Sequence, residues 1–226
     1  MCGRFTLAVA DPELAAWYRL AGPVGLPPRY NIAPTQPVVA VCLDPAGGRV
    51  LRTFRWGLVP SWSREGLAGA PLINARAETA PVRPAFRQAF ARGRCLVPAT
   101  GFFEWDRSRR PPRASLFHPA GGGLWSFAGL WDRWRAPDGR VVDSLAILTV
   151  PANARVAPLH DRMPAILDRD VHDAWLDPAA TGRAHALLRP FPDDRVASFP
   201  VGPAVNRADR DDPECIAPVP DQGTLL

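Results

Sequence analysis

The chain opens Met1-Cys2-Gly3-Arg4, and Cys2 offers a chemistry that no internal cysteine can. Removal of Met1, usual before a small second residue, would leave an α-amine and a thiol on adjacent carbons. The amine titrates near ~7.7–8.0 and the thiol near ~8.5, so both are partly nucleophilic at neutral pH. Such a 1,2-aminothiol condenses with aldehydes: the amine forms an imine, and the thiol adds to the imine carbon to close a thiazolidine. The residue could instead act as an N-terminal hydrolase nucleophile with its own amine as base. The plainer alternative is a terminus tucked into the fold.

Three segments place polar groups inside apolar surroundings: Pro71-Leu72-Ile73-Asn74-Ala75-Arg76-Ala77-Glu78, Gly101-Phe102-Phe103-Glu104-Trp105, and Pro158-Leu159-His160-Asp161-Arg162-Met163-Pro164. Glu104 sits among aromatics, where desolvation would raise a carboxyl into the range useful for acid–base work. Strand alternation could equally turn it to solvent. His160 is the best titrating candidate of four histidines. His118 precedes a proline, and His172 and His185 fall in helical stretches expected to be exposed. Asn74 could orient a backbone or substrate oxygen, or fix a turn. The forked donors of Arg4, Arg76 and Arg162 suit phosphate or surface ion pairs.

These residues need a scaffold, and strand signals outnumber helix signals. Val38–Leu43 and Val50–Trp56 read as a hairpin across Asp44-Pro45-Ala46-Gly47-Gly48, and further strand-like runs follow from Cys95 to Val150 and at Val196–Phe199. Asp11-Pro12 reads as a helix start, with Asp11 the N-cap and Gly22-Pro23 the stop. Val82–Arg92 reads as a helix, Asn153–Leu159 as one or two helical turns, and Arg29–Thr35 as a loop. A helix capped by Asp168 or Asp170 should run through Trp175, and a short one should cover Ala184–Leu188. Strands and helices do not alternate, which predicts an α+β fold: one compact domain over 1–226 with a mainly antiparallel, barrel-like β core, short flanking helices and a polar, Pro-rich tail from about 203.

The composition sets bounds. At 226 residues and 47% hydrophobic content, one domain with an ample core is expected. All 27 basic side chains are arginine, and the net charge of +5 is compatible with a polyanion. Cys42 and Cys95 lie in apolar runs and should be buried thiols; no Cys/His spacing suits a metal, and no cofactor motif is present. Without a disulfide pattern, an apolar leader or a membrane-length apolar run, a cytoplasmic setting is expected.

Taken together, Met-Cys-Gly-Arg-Phe at 1–5, Arg-Tyr-Asn-Ile-Ala-Pro-Thr at 29–35, Arg-Trp-Gly-Leu-Val-Pro-Ser-Trp at 55–62, Asn-Ala-Arg-Ala-Glu-Thr at 74–79, Gly-Phe-Phe-Glu-Trp at 101–105 and Leu-His-Asp-Arg-Met-Pro at 159–164 closely resemble the SRAP family, SOS-response-associated peptidases also called abasic-site processing proteins. The resemblance implies a compact α+β domain that recognises abasic sites in single-stranded DNA and bonds to them covalently through Cys2. It implies that Asn74, Glu104 and His160 form the pocket and that Arg4, Arg76 and Arg162 hold the flanking phosphates. Trp62 and Trp105 become candidates to stack on a neighbouring base. No cofactor, metal or membrane is implied, and a monomer is expected. Removal of Met1 by the chain itself and a lyase side reaction fit the same site. Class II glutamine amidotransferases also begin Met-Cys-Gly, but their downstream glutamine-pocket motifs are absent and Arg4 departs from their pattern. A single-stranded DNA binder without a covalent step is the other rival.

Overall fold

The computed structural model describes residues 3–22 and 24–220. Its first strands are β1 (Phe5–Leu7), β2 (Arg29–Ile32), β3 (Pro37–Leu43), β4 (Arg49–Trp56), β5 (Asn74–Arg76) and β6 (Arg94–Ala99). There follow β7 (Gly101–Asp106), β8 (Arg113–Pro119), β9 (Trp125–Arg135), β10 (Val141–Pro151), β11 (Arg162–Pro164), β12 (Ile166–Leu167) and β13 (Val196–Pro200). The helices are short: α1 (Asp11–Tyr18), α2 (Arg87–Arg92), α3 (His172–Leu176) and α4 (Thr181–Ala186).

Five strands close a barrel. The pairing runs β3–β4–β10–β9–β6 and returns from β6 to β3, antiparallel throughout except between β4 and β10. Closure leaves no open edge within this ring. β5 joins β10 in parallel, β11 joins it antiparallel, and β12 extends β9. The barrel is therefore the expected β core, and its β3–β4 hairpin turns where Gly47 adopts φ 86°.

β6 is buried along its whole length because α2 and α3 cover its outer side. Arg94 locks those helices in place. Its guanidinium donates to the Phe90 carbonyl of α2 and to the Trp175 and Asp177 carbonyls at the end of α3, groups that a helix C-terminus leaves without internal donors.

A second, antiparallel sheet has the order β13–β8–β7–β1–β2. Its inner face meets the barrel through Phe102 and Phe117, stacked with centroids 5.2 Å apart. Its outer face carries Phe103, Ala114 and Leu116, which pack with Val201, Ala204, Val205 and Cys215 into a smaller core. The segment that reads as a polar tail from 203 is thus partly interior, docked by its few apolar residues.

Several local expectations shift. Arg29–Ile32 is a strand: the Asp211 carboxylate accepts the Tyr30 and Asn31 N–H groups and pairs with Arg29. Asp11 lies within α1 rather than capping it, because its carboxylate instead accepts the N–H groups of Val24 and Gly25. The helix stops at Arg19 in the left-handed region, before Gly22, and Pro23 lies outside the described residues. The 82–92 segment is helical only over α2, because Pro84 disfavours the helical conformation at Arg83 before it. His172 is fully buried rather than exposed. Cys42 and Cys95 are buried thiols, as is Cys215.

Candidate active site

Alternation along β7 decides the placement of Glu104. Phe103 and Trp105 point to the smaller core, so Phe102 and Glu104 share the face turned toward the barrel. Glu104 lies where that face leaves the packed interior, opposite Ser115 of β8. It is 5% exposed, and its Oε1 is buried with no hydrogen-bond partner among the described residues. Burial raises its pKa to about 7; Arg107 pulls it down and Asp161 pushes it up.

β1 brings the N-terminal segment to this point. Phe5 pairs with Phe102, and the Phe103 N–H donates to the Arg4 carbonyl at 3.0 Å. Extended two residues past the Phe5–Phe102 pair, beyond the start of β1, the same register would set Gly3 across from Glu104. Cys2 itself lies outside the described residues.

His160 ends a run of turns over 153–160, where its N–H donates to the Val156 carbonyl. The Arg162 N–H donates to its Nδ1 at 2.9 Å, and an Asp161 carboxylate oxygen lies 2.9 Å from the same nitrogen. Nδ1 can accept from Arg162 only when it bears no proton. Burial first of all lowers the His160 pKa, favouring the neutral ring. The charges of Arg107 and Asp161 act on both His160 and Glu104, which places the two groups in one electrostatic neighbourhood.

β5 presents Asn74 and Arg76 on one face, with Ala75 turned into the core between them; the same alternation continues through buried Ala77 to Glu78. Arg162, on the far side of β10, donates from both Nη atoms to Glu78, at 2.7 and 2.9 Å, and from Nη2 to the Thr149 carbonyl. Arg162 holds Glu78 below its usual pKa, with a smaller contribution from Arg76. Arg162 is therefore a nearly buried fork already joined to a carboxylate, whereas Arg76 is exposed.

Arg4 is also engaged. Its Nη1 donates to Asn31 Oδ1 and to the Val205 carbonyl, each at 2.7 Å, and its guanidinium lies 5.8 Å from the centre of the Trp105 ring. The Trp105 indole N–H donates to Asn206 Oδ1 at 2.8 Å. Trp62 is 58% exposed, on a loop anchored by Ser61 to Asp132 and by Ser63 to Trp134 of β9.

Sequence reasoning assigned no role to Glu78, Asn31, Asn206 or Arg107. Glu78 and Asn31 lie inside the conspicuous sequence blocks; only their partners, distant in sequence, reveal what they do. No group of three or more His, Cys, Asp or Glu among the described residues could hold a metal ion.

Residues 1–208 match the SOS response associated peptidase (SRAP) family. The chain belongs to the SRAP family. The matched span contains every site residue named above. Among similar proteins, abasic site processing protein YoqW of Bacillus subtilis (strain 168) is 35% identical over 225 residues, covering 96% of this chain and 99% of that protein. Abasic site processing protein HMCES of Mus musculus is 32% identical over 229 residues, covering 84% of this chain and 65% of its own length. A solved structure from Bordetella bronchiseptica is 27% identical with a TM-score of 0.79, covering 89% of this chain and all of that one. A solved protein from Bacteroides thetaiotaomicron shares the fold at a TM-score of 0.85 and 24% identity, over 96% of this chain and all of that one. This SRAP barrel, with its second sheet and short helices, is thus a shared scaffold.

Proposed function

We propose that this SRAP protein processes abasic sites in single-stranded DNA by bonding to them covalently through Cys2, acting as a monomer and without a cofactor. An abasic deoxyribose is mostly a closed hemiacetal. Opening it breaks the C1′–O4′ bond, removes the proton of the C1′ hydroxyl and delivers a proton to O4′. Glu104 suits both transfers, since a group with a pKa near 7 is half acid and half base at neutral pH. His160, held neutral by burial, hydrogen-bonds the sugar. Cys2 is joined to Gly3 by one peptide bond, next in sequence to the segment that β1 aligns with β7.

The Cys2 amine attacks C1′, water leaves and the imine forms. The thiol then adds to the imine carbon, its proton passes to nitrogen, and the thiazolidine closes. The closed ring no longer activates the sugar for β-elimination, so the strand stays intact. If the thiol step fails, the imine eliminates the 3′ phosphate, a lyase side reaction. Met1 must leave first, and the Cys2 thiol adjoins the peptide bond to be cut, which allows self-processing. Asn74 orients the amine or the sugar oxygens. Exposed Arg76 meets a flanking phosphate, and Arg4 and Arg162 add positive charge while holding their protein partners. Trp105 and Trp62 offer faces for adjacent bases.

The observation that carries this reading is a buried carboxyl with a pKa near 7, set in register with the N-terminal segment. The names of the relatives, abasic site processing proteins, support the substrate. The test is intact mass after incubating tag-free protein with a single-stranded oligonucleotide bearing one abasic site. The expected product is a denaturant-resistant adduct, lost in Cys2→Ala. An equal yield from Cys2→Ala would overturn the reading in favour of a non-covalent DNA binder.

A further inference from the structure

The hairpin joining β7 to β8 reaches the site described above only through the charge of Arg107, yet it carries an unusual charge density. From Asp106 to Arg113 it reads Asp-Arg-Ser-Arg-Arg-Pro-Pro-Arg, four arginines against one aspartate. The aspartate is largely answered within the loop: Asp106 accepts from the Ser108 hydroxyl and pairs with Arg109 at 3.0 Å. Counted within the hairpin alone, four positive charges face one negative charge at the end of the sheet that holds Glu104.

The register shows where this charge lies. Glu104 pairs with Ser115, and the next pair on the same face is Asp106 with Arg113. The face that begins in the core at Phe102 and Phe117 and bears Glu104 therefore runs outward into the hairpin. A polar cleft of about 280 Å³ occupies this position, lined by Asp106, Arg113 and Ser115 from the hairpin strands, by Arg109 of the turn between them, by Pro200 of β13, and by Leu159, the residue before His160. On the opposite face a wider groove of about 810 Å³ also borders Arg109 and Arg113. It adds Arg110 and Asn206, the acceptor of the Trp105 indole, over a floor that includes Ala114 and Val201. The hairpin is thus an arginine ridge between two grooves, one lined by Ser115, the strand partner of Glu104, and by Leu159, the other by Asn206, the partner of the Trp105 indole.

We propose that this ridge is a second phosphate-binding element, which carries the DNA strand away from the lesion and makes several nucleotides beyond it part of the binding site. The inference rests on the single-stranded DNA reading and extends it. Phosphates follow one another along a strand, so a binder gains from cations spaced along a track rather than gathered at one point. Guanidinium groups beside a polar groove and an apolar one suit backbone and base together. Each phosphate neutralised on a single strand releases condensed counterions and adds about 0.7 to the slope of log affinity against log salt.

The test uses the full-length protein and lesion-free single strands of 4 and 15 nucleotides, with binding measured by fluorescence anisotropy across a salt series. Lesion-free strands form no adduct, so the result stands apart from the crosslinking reaction. Replacing both Arg109 and Arg110 by Gln should weaken binding of the long strand by roughly tenfold at low salt and lower its salt slope by about 1.4, the value for two lost phosphate contacts. Binding of the short strand should be unchanged. Lysine at both positions should restore the slope. Equal affinities of wild type and the Gln variant for the long strand would overturn the proposal. So would displacement of the long strand by polyglutamate as effective as that by DNA of the same charge, which would point to an acidic polypeptide instead.

Discussion

Glu104 and His172 are both buried titratable side chains, and burial moves them in opposite directions. Glu104 rises to about 7, into the range where proton transfer at neutral pH is efficient. His172 falls to about 4, where it stays neutral under the same conditions. The cause is the same: a desolvated site disfavours the charged form, which is the deprotonated acid in one case and the protonated base in the other. Their company differs. Glu104 lies at the mouth of the inner face, within the fields of Arg107 and Asp161. His172 is stacked on Tyr18 with centroids 5.5 Å apart, fully buried, with only the Leu167 backbone and the charges of Arg49, Asp173 and Arg169 acting on its ring. A perturbed pKa thus marks burial in both places, and only access and neighbours separate a reactive group from a packing one.

The sharpest way to break this contrast is kinetic. Glu104→Gln keeps the shape and removes the titration. Adduct formation should slow by roughly 10²–10⁴-fold, the usual contribution of a positioned acid–base group, and its pH dependence near 7 should flatten. His172→Phe should leave the adduct rate unchanged. Equal slowing by both variants would erase the distinction.

Stability should separate the pair by sign. Glu104 has a raised folded pKa, so the native state binds more protons between the ordinary carboxyl value and about 7. Its neutral form is compatible with the fold at low pH, and stability falls as pH rises through this window. Glu104→Gln should match wild type near pH 4 and exceed it at about pH 8, by on the order of 3 kcal/mol. His172 has a depressed folded pKa, so its contribution is present above its unfolded value near 6.5 and is lost as pH falls toward about 4. His172→Phe preserves a ring against Tyr18 and should remove a loss of similar size between pH 7 and 4. Denaturant titrations at several pH values would show both effects, and parallel curves would count against the assigned burial.

Much of the scaffold was legible because it follows local rules. The β3–β4 hairpin is announced by two apolar runs and a Gly-containing turn, and buried Cys42 and Cys95 follow from their surroundings. What escaped depends on partners distant in sequence. The 29–32 strand needs Asp211, the apparent tail hides a small core around Val205, and His172 looks exposed until Tyr18 is seen beside it. In the site, residue types pointed to Glu104, but alternation alone could not say which face of β7 met the barrel. That was decided by the C-terminal residues covering Phe103 and thereby fixing the opposite face for Glu104.

Glu78 tests the same contrast at its weakest point, where a charge is half-exposed and firmly paired. Arg162 holds it below its usual pKa, so the pair stabilises the fold above the ordinary carboxyl range and loses that contribution as pH falls through the lowered value. Glu78 is 48% exposed, so solvent screening limits the pair to about 1 kcal/mol or less. Glu78→Gln should lower stability at neutral pH by that small amount and leave it unchanged in acid. Its effect on DNA should run the other way. Removing a carboxylate that occupies both Nη atoms of Arg162 also removes a negative charge beside Arg76, so lesion-free single strands should bind more tightly, with a steeper salt dependence. A loss of stability together with weaker binding would mean that Arg162 acts through the shape it gives the β10–β11 corner, and that Glu78 belongs with His172 among groups whose charge serves the fold alone.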